Sequence, residues 1–145
     1  MKKKAVILYG SPHKNGHTKK ALNDVIKGLQ PNYEFELIDA FKENIKPCVD
    51  CGFCKSTPAC AFSDFDNIDK ILRECELLIV ATPVYNASFP APLKAIIDRT
   101  QLYFNMKTKL KINPFTQEKC AILVITYGAN AVSYTHLTLP TTPYV

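Results

Sequence analysis

The 145-residue chain is expected to fold as one α/β domain built on a parallel sheet. Three observations carry that expectation. The runs Ala5-Val6-Ile7-Leu8 and Leu77-Leu78-Ile79-Val80-Ala81 are apolar at every position, as strands covered on both faces are. Segments with helical apolar spacing separate the strand-like runs. The resulting order, β-α-β-(loop)-α-β-α-β, favours right-handed crossovers that place helices on both faces of the sheet.

Taken in order, residues 4–9 read as the first strand, buried and central. From Thr18 the apolar residues Ala21, Leu22, Val25, Ile26 and Leu29 share one helical stripe, and Pro31 closes it. Phe35-Glu36-Leu37-Ile38 alternates, as a strand nearer a sheet edge does. Beyond a cysteine-rich loop, Asp64 or Asp66 is expected to cap a helix carrying Ile68, Ile71, Leu72 and Cys75 on one face. The second apolar strand leaves through Thr82-Pro83-Val84-Tyr85-Asn86, and Pro92 starts a helix running to about Phe104. Ala121-Ile122-Leu123-Val124-Ile125 is the fourth strand, ending at Thr126-Tyr127-Gly128. From Cys120 to Val145 there is no charged residue, and the segment after Ser133 shows neither helical nor strand periodicity. We read residues 1–132 as the domain and 133–145 as a non-native or disordered tail on a truncated chain. A short natural ending is the other reading, and His136 carries no weight because it lies in that tail.

Composition narrows the function. Apolar residues make up 47 % and charged residues 21 %, ordinary for a soluble globular protein. The net charge of +5 comes from scattered lysines, including Lys2–Lys4, Lys19, Lys20, Lys107, Lys109 and Lys111. These lack the density of a nucleic-acid footprint, and an anionic cofactor suits the charge equally well. No apolar run approaches a membrane span, and the lysine-rich start lacks the apolar length and cleavage site of a leader. The expected setting is the cytoplasm. Six cysteines there point to metal or redox chemistry ahead of a disulfide framework.

Ligands of doubly wound sheets lie beyond the carboxyl ends of the strands, and three turns leave that edge, at 10–18, 82–90 and 126–130. The first, Tyr9-Gly10-Ser11-Pro12-His13-Lys14-Asn15-Gly16-His17-Thr18, joins a strand to a helix N-terminus. Convergent amides, the helix dipole and the Ser and Thr hydroxyls make such a loop a phosphate site. Only two glycines are present, so the dinucleotide fingerprint G-x-G-x-x-G is not met. Ser11 and His17 stand where a Walker A loop needs Gly and Lys, which argues against a nucleoside triphosphatase. A plain tight turn with Thr18 as helix cap is the alternative use.

The loop resembles the G-S-P-x-x-x-G-x-T phosphate loop of flavodoxin-like, NADPH-dependent FMN reductases. Pro83-Val84-Tyr85 followed by Pro92-Leu93-Lys94-Ala95-Ile96-Ile97-Asp98-Arg99 resembles the P-V-Y…P-L-K-x-x-I-D-R stretch of the same family. The resemblance implies a three-layer flavodoxin-like sheet of order 2-1-3-4 with the fifth strand missing. It implies FMN phosphate binding by Ser11, Lys14, Gly16, His17 and Thr18, with His13 at the rim. Pro83, Val84, Tyr85 and Asn86 would line the flavin ring, and Thr126 and Gly128 would belong to a third flavin turn. A partly buried Tyr85 in a strand-end turn is the bland alternative, and Asp98 and Arg99 are expected to orient the helix that follows.

Between the second strand and its helix lies Cys48-x2-Cys51-x2-Cys54-x5-Cys60. The first three spacings match a bacterial iron–sulfur run, although the last gap is longer and no Pro follows. Structural zinc more often uses two well-separated pairs. The compact cluster resembles that of iron–sulfur flavoproteins, which implies a [4Fe–4S] cluster, and four free or redox-labile thiols are the alternative. Cys75 and Cys120 read as core residues. No Ser-His-Asp or paired-carboxylate arrangement is evident, which suits an enzyme whose flavin carries the chemistry. The resemblance thus implies an oxidoreductase taking hydride from NAD(P)H onto FMN. Electrons would then pass to a quinone-like or other small acceptor, or through the cluster. The family's habit implies a homo-oligomer. A non-catalytic carrier of electrons between protein partners is the competing function, and a metal-binding module that has lost the flavin a more distant one.

Overall fold

The computed structural model describes residues 1–128. Residues 129–130 of the third turn, the segment 133–145 and His136 lie outside the described residues. Within that range four parallel strands form one sheet of order β2-β1-β3-β4. They are β1 (Lys3–Tyr9), β2 (Tyr33–Asp39), β3 (Leu77–Pro83) and β4 (Cys120–Thr126). Register aligns Ile7 with Leu37 on one side and Ile79 on the other, and Ile79 with Ile122.

Alternation along the strands divides the core into two layers, since successive side chains point to opposite faces. Ala5, Ile7, Tyr9, Leu77, Ile79 and Ala81 pack beneath helix α1 (His17–Leu29), which buries Leu22 among them. Val6, Leu8, Ile38 and Val80 pack beneath α3 (Asp66–Glu74) and α4 (Ala91–Arg99), through Ile68, Leu72, Leu93 and Ile96. Residues 5–9 are all buried, which is why β1 reads as apolar throughout. β2 is an edge strand, and its alternation leaves Leu37 exposed.

Three local expectations are corrected. Neither Asp64 nor Asp66 caps α3: Phe65 holds the cap position without a side-chain bond, because the Asp64 carboxylate is engaged elsewhere. The helix expected from Pro92 to Phe104 breaks at Thr100, whose amide and hydroxyl both bond to the Ile97 carbonyl. A short helix α5 (Gln101–Asn105) and a π-helical turn over Met106–Leu110 follow. Cys75 is buried as expected, but Cys120 is exposed, since it opens an edge strand before that strand reaches the core. A single helical turn, α2 (Ala40–Glu43), ends β2. The cysteine loop follows it, with short turns at Phe53–Lys55 and Ser63–Phe65.

Candidate functional site

The three strand ends are tied to one another. The Gly10 amide donates to the Ala81 carbonyl at 2.8 Å, and the Val84 amide to the Thr126 carbonyl at 3.1 Å. Thr18, in the first turn of α1, shares a 2.7 Å hydrogen bond with the Thr126 hydroxyl. The loop after β1, the turn after β3 and the end of β4 therefore meet at one edge of the sheet.

Within the first loop the buried hydroxyls are those of Ser11 and Thr18. The Ser11 Oγ accepts the His13 amide at 3.2 Å, and the Tyr9 hydroxyl donates to the His13 carbonyl at 2.6 Å, so the loop is pinned from below. His13, Lys14 and His17 are exposed around it. α1 starts one residue earlier than its apolar stripe suggests, with Gly16 at the cap position and no side-chain cap bond. Thr18 is not a cap, because its hydroxyl goes to Thr126. The first turn of α1 carries no acidic residue. First-turn amides have no partner within the helix, so this uncapped end presents free donors and positive partial charge to an anion. Gly10 is required for close packing: a Cβ there would lie 2.5 Å from Leu93 Cδ2.

The turn after β3 is a tight reversal. Tyr85 and Ser88 exchange amide–carbonyl bonds of 3.0 Å, and Asn86 and Ala87 both sit at positive φ, the pattern of a type I′ turn. That geometry leaves Tyr85 and Asn86 exposed, and Tyr85, 43 % exposed, presents a flat aromatic face. Pro83 and Val84 are half-buried, the Thr126 carbonyl at the end of β4 accepts the Val84 amide, and Gly128 lies exposed two residues past that strand.

The cysteine loop has a different construction. Gly52 at φ +80° lets the chain fold back so that the Lys55 amide reaches the Gly52 carbonyl at 3.0 Å. Cys48, Cys51, Cys54 and Cys60 line one small pocket, closed behind by Arg99 and Leu102. Among the described residues no three of His, Cys, Asp and Glu are gathered as ligands of a single metal ion. A tetrahedral zinc with Zn–S bonds of about 2.3 Å needs its sulfurs drawn together around one point, and this pocket does not do that.

Arg99 anchors the loop. Only 2 % exposed, it donates from Nη1 to the Lys46 carbonyl at 2.9 Å and from Nη2 to the Phe62 carbonyl at 2.9 Å. It also grips Asp64 through both Nη atoms, at 3.3 and 2.8 Å. Burial alone would raise the Asp64 pKa, but the bonds from Arg99 and the Lys46 amide outweigh it and hold the carboxyl below its ordinary value. Burial opposes the Arg99 charge, and Asp64 and then Cys60 reverse that and hold its pKa above the usual one. Asp98, expected to orient this helix with Arg99, instead pairs with Lys94 on the exposed side. Burial pushes the Cys75 thiol up, in keeping with a core residue.

Sequence reasoning missed the roles of Arg99 and Asp64. The apolar spacing of Ala95, Ile96, Leu102 and Met106 puts Arg99 on a buried stripe, which signals a buried charge but not which residues pair with it. A charged residue on such a stripe needs a buried partner.

The sequence model of the NADPH-dependent FMN reductase family matches residues 3–139. The chain belongs to that family. An iron–sulfur flavoprotein of Archaeoglobus fulgidus is 33 % identical over 107 residues, 72 % of this chain and 49 % of the relative. The chain spans about half the length of these curated relatives, the Archaeoglobus protein and an iron–sulfur flavoprotein of Methanosarcina thermophila. Two solved structures share the fold. The Smu.1420 protein of Streptococcus mutans UA159 superposes with a TM-score of 0.72 at 19 % identity, covering 93 % of this chain and 73 % of that one. An NAD(P)H:quinone oxidoreductase from Methanothermobacter marburgensis does so at 0.63 and 13 % identity, covering 91 % and 68 %. The order 2-1-3-4 and the flavodoxin-like class expected from the sequence hold for the described residues. No helix among them is long and apolar enough to cross a membrane.

Proposed function

We propose that this chain forms the FMN-holding part of an NAD(P)H-dependent oxidoreductase that delivers electrons to a quinone-like or other small acceptor. The observation that carries the reading is the convergence of three strand ends on an uncapped helix N-terminus with two buried hydroxyls beside it. That end fits a phosphate: Ser11, Gly16 and Thr18 supply hydroxyls and backbone amides, and His13, Lys14 and His17 surround it with exposed basic groups. In this reading Pro83, Val84, Tyr85 and Asn86 line the flavin ring, Thr126 and Gly128 belong to the third flavin turn, and the exposed Tyr85 offers a flat face for a ring system to stack on. FMN supplies hydride acceptance and both one- and two-electron transfer when bound. The protein's share is to hold the phosphate, orient the ring and keep the turn rigid. No acid–base side chain is assigned at this edge, because the flavin carries the hydride and electron chemistry.

The four cysteines line one pocket and, by their donor chemistry and spacing, are the proposed ligands of an iron–sulfur cluster. The name carried by the Archaeoglobus relative supports that reading.

The test is anaerobic reconstitution of the full chain with FMN, ferrous iron and sulfide. An absorbance spectrum, metal analysis and steady-state NAD(P)H oxidation follow. A flavin spectrum with NAD(P)H turnover upholds the enzyme. Flavin without turnover recasts the protein as an electron carrier, and flavin with no iron removes the cluster.

A further inference from the structure

The cysteine pocket has a wall of buried donors that loop anchoring alone does not explain. Both Nη atoms of Arg99 are engaged, yet Nε is buried with no hydrogen-bond partner among the described residues. The same guanidinium lines the pocket beside Cys60. A buried N–H left without an acceptor costs about 1–3 kcal/mol. Six residues on, Asn105 is also 2 % exposed, and its Nδ2 donates to Cys54 Sγ at 3.1 Å. A neutral thiol is a weak acceptor, whereas an ionised sulfur accepts a much stronger bond. Both donors stand on the α4–α5 side, towards the half-buried Cys54 and Cys60, while Cys48 and Cys51 are exposed.

We infer that Arg99 and Asn105 are positioning residues for anionic sulfur: an unpartnered buried guanidinium N–H beside Cys60 and a buried amide on Cys54 stabilise negative charge on one side of the cysteine pocket. The inference rests on the cluster reading above. Hydrogen bonds to cluster sulfurs favour the more negative, reduced state and so raise the reduction potential. They also make the Cys54 and Cys60 side unlike the Cys48 and Cys51 side.

The experiment uses the full chain reconstituted anaerobically with ferrous iron and sulfide. The cluster's midpoint potential is measured for the parent, Asn105→Leu, Asn105→Gln and Arg99→Lys. Asn105→Leu keeps the side chain's size and removes its donor. It should retain iron and sulfide but shift the reduction equilibrium about tenfold, a potential about 59 mV lower for one electron. Asn105→Gln should recover part of that shift. Arg99→Lys also weakens the loop anchor, so circular dichroism must first show it folded, and Asn105→Leu decides the question without it. An unchanged potential at full iron content overturns the inference and leaves the cluster standing. If the parent takes up no iron, the cluster reading fails, and iodoacetamide labelling of the reduced chain at fixed pH tests the donors directly. Asn105→Leu should then slow labelling of Cys54 several-fold relative to Cys48, and equal rates overturn the inference.

Discussion

The flavin-type edge and the cysteine pocket are built by opposite means. At the edge, the groups that would meet a ligand are placed by backbone: strand ends in register, a helix N-terminus, a type I′ turn. The backbone hydrogen bonds that join the strand ends run between neighbouring strands of one sheet, and the Thr18–Thr126 bond ties the helix start to the last of them. The cysteine loop has only two short helical turns of its own and is fixed by side chains. Chief among them is Arg99, which reaches back 35 to 53 residues to Asp64, Phe62 and Lys46, with Asn105 on Cys54 and Arg73 on the Pro58 carbonyl. The first construction is rigid because the sheet is rigid. The second depends on a buried ion pair, and removing one partner of such a pair leaves a charge uncompensated.

The largest expected effect follows from that dependence. Asp64→Ala should lower unfolding stability by about 3 kcal/mol in urea, since Arg99 stays buried without its carboxylate. The pH dependence has a definite sign. The folded pKa of Asp64 lies below its ordinary value, so its contribution is complete above the unfolded pKa of about 3.9 and is lost as pH falls through the folded one. The gap between parent and variant should therefore narrow below about pH 4. A gap independent of pH would mean that the pair does not anchor the loop.

Gly10→Ala strikes the other region. The added methyl would lie 2.5 Å from Leu93 Cδ2 and 3.0 Å from Leu93 Cβ. A cost of about 1–3 kcal/mol in thermal unfolding is expected, together with weaker FMN binding as the loop shifts. The smallest effect is Thr126→Val, which removes the Thr18 hydroxyl's partner while keeping the strand. A loss of about 1 kcal/mol, near fivefold in FMN affinity, should appear in a titration with little change in stability. Equal losses of FMN affinity from Asp64→Ala and Thr126→Val would erase the distinction between the two regions.

The same contrast explains what the sequence disclosed. Continuous apolar runs at Ala5–Leu8 and Leu77–Ala81 announce central parallel strands, because burial on both faces leaves no polar position. The Gly10–Thr18 loop and the Pro83–Asn86 turn are local patterns whose residues touch in the fold as they do in the chain. Arg99 is different: in sequence it is an ordinary basic residue near a helix end, favourable to the dipole wherever it points. Its place on a buried stripe implies a buried partner, but which residues supply it emerges only when the crossover brings residues 46, 62 and 64 against α4. The misplaced cap at α3 has the same origin, since an aspartate taken by a distant guanidinium is not free to cap. Thr100 interrupted a helix of unbroken apolar spacing because its hydroxyl bonds back to Ile97.

The central claim is that the uncapped start of α1 holds the phosphate of FMN. Its most direct test is a pair of fluorescence titrations of the full chain, one with FMN and one with riboflavin, which lacks the phosphate. One FMN should bind per chain, with riboflavin at least about a hundredfold weaker, near 2.7 kcal/mol. Equal affinities for the two flavins would contradict the claim.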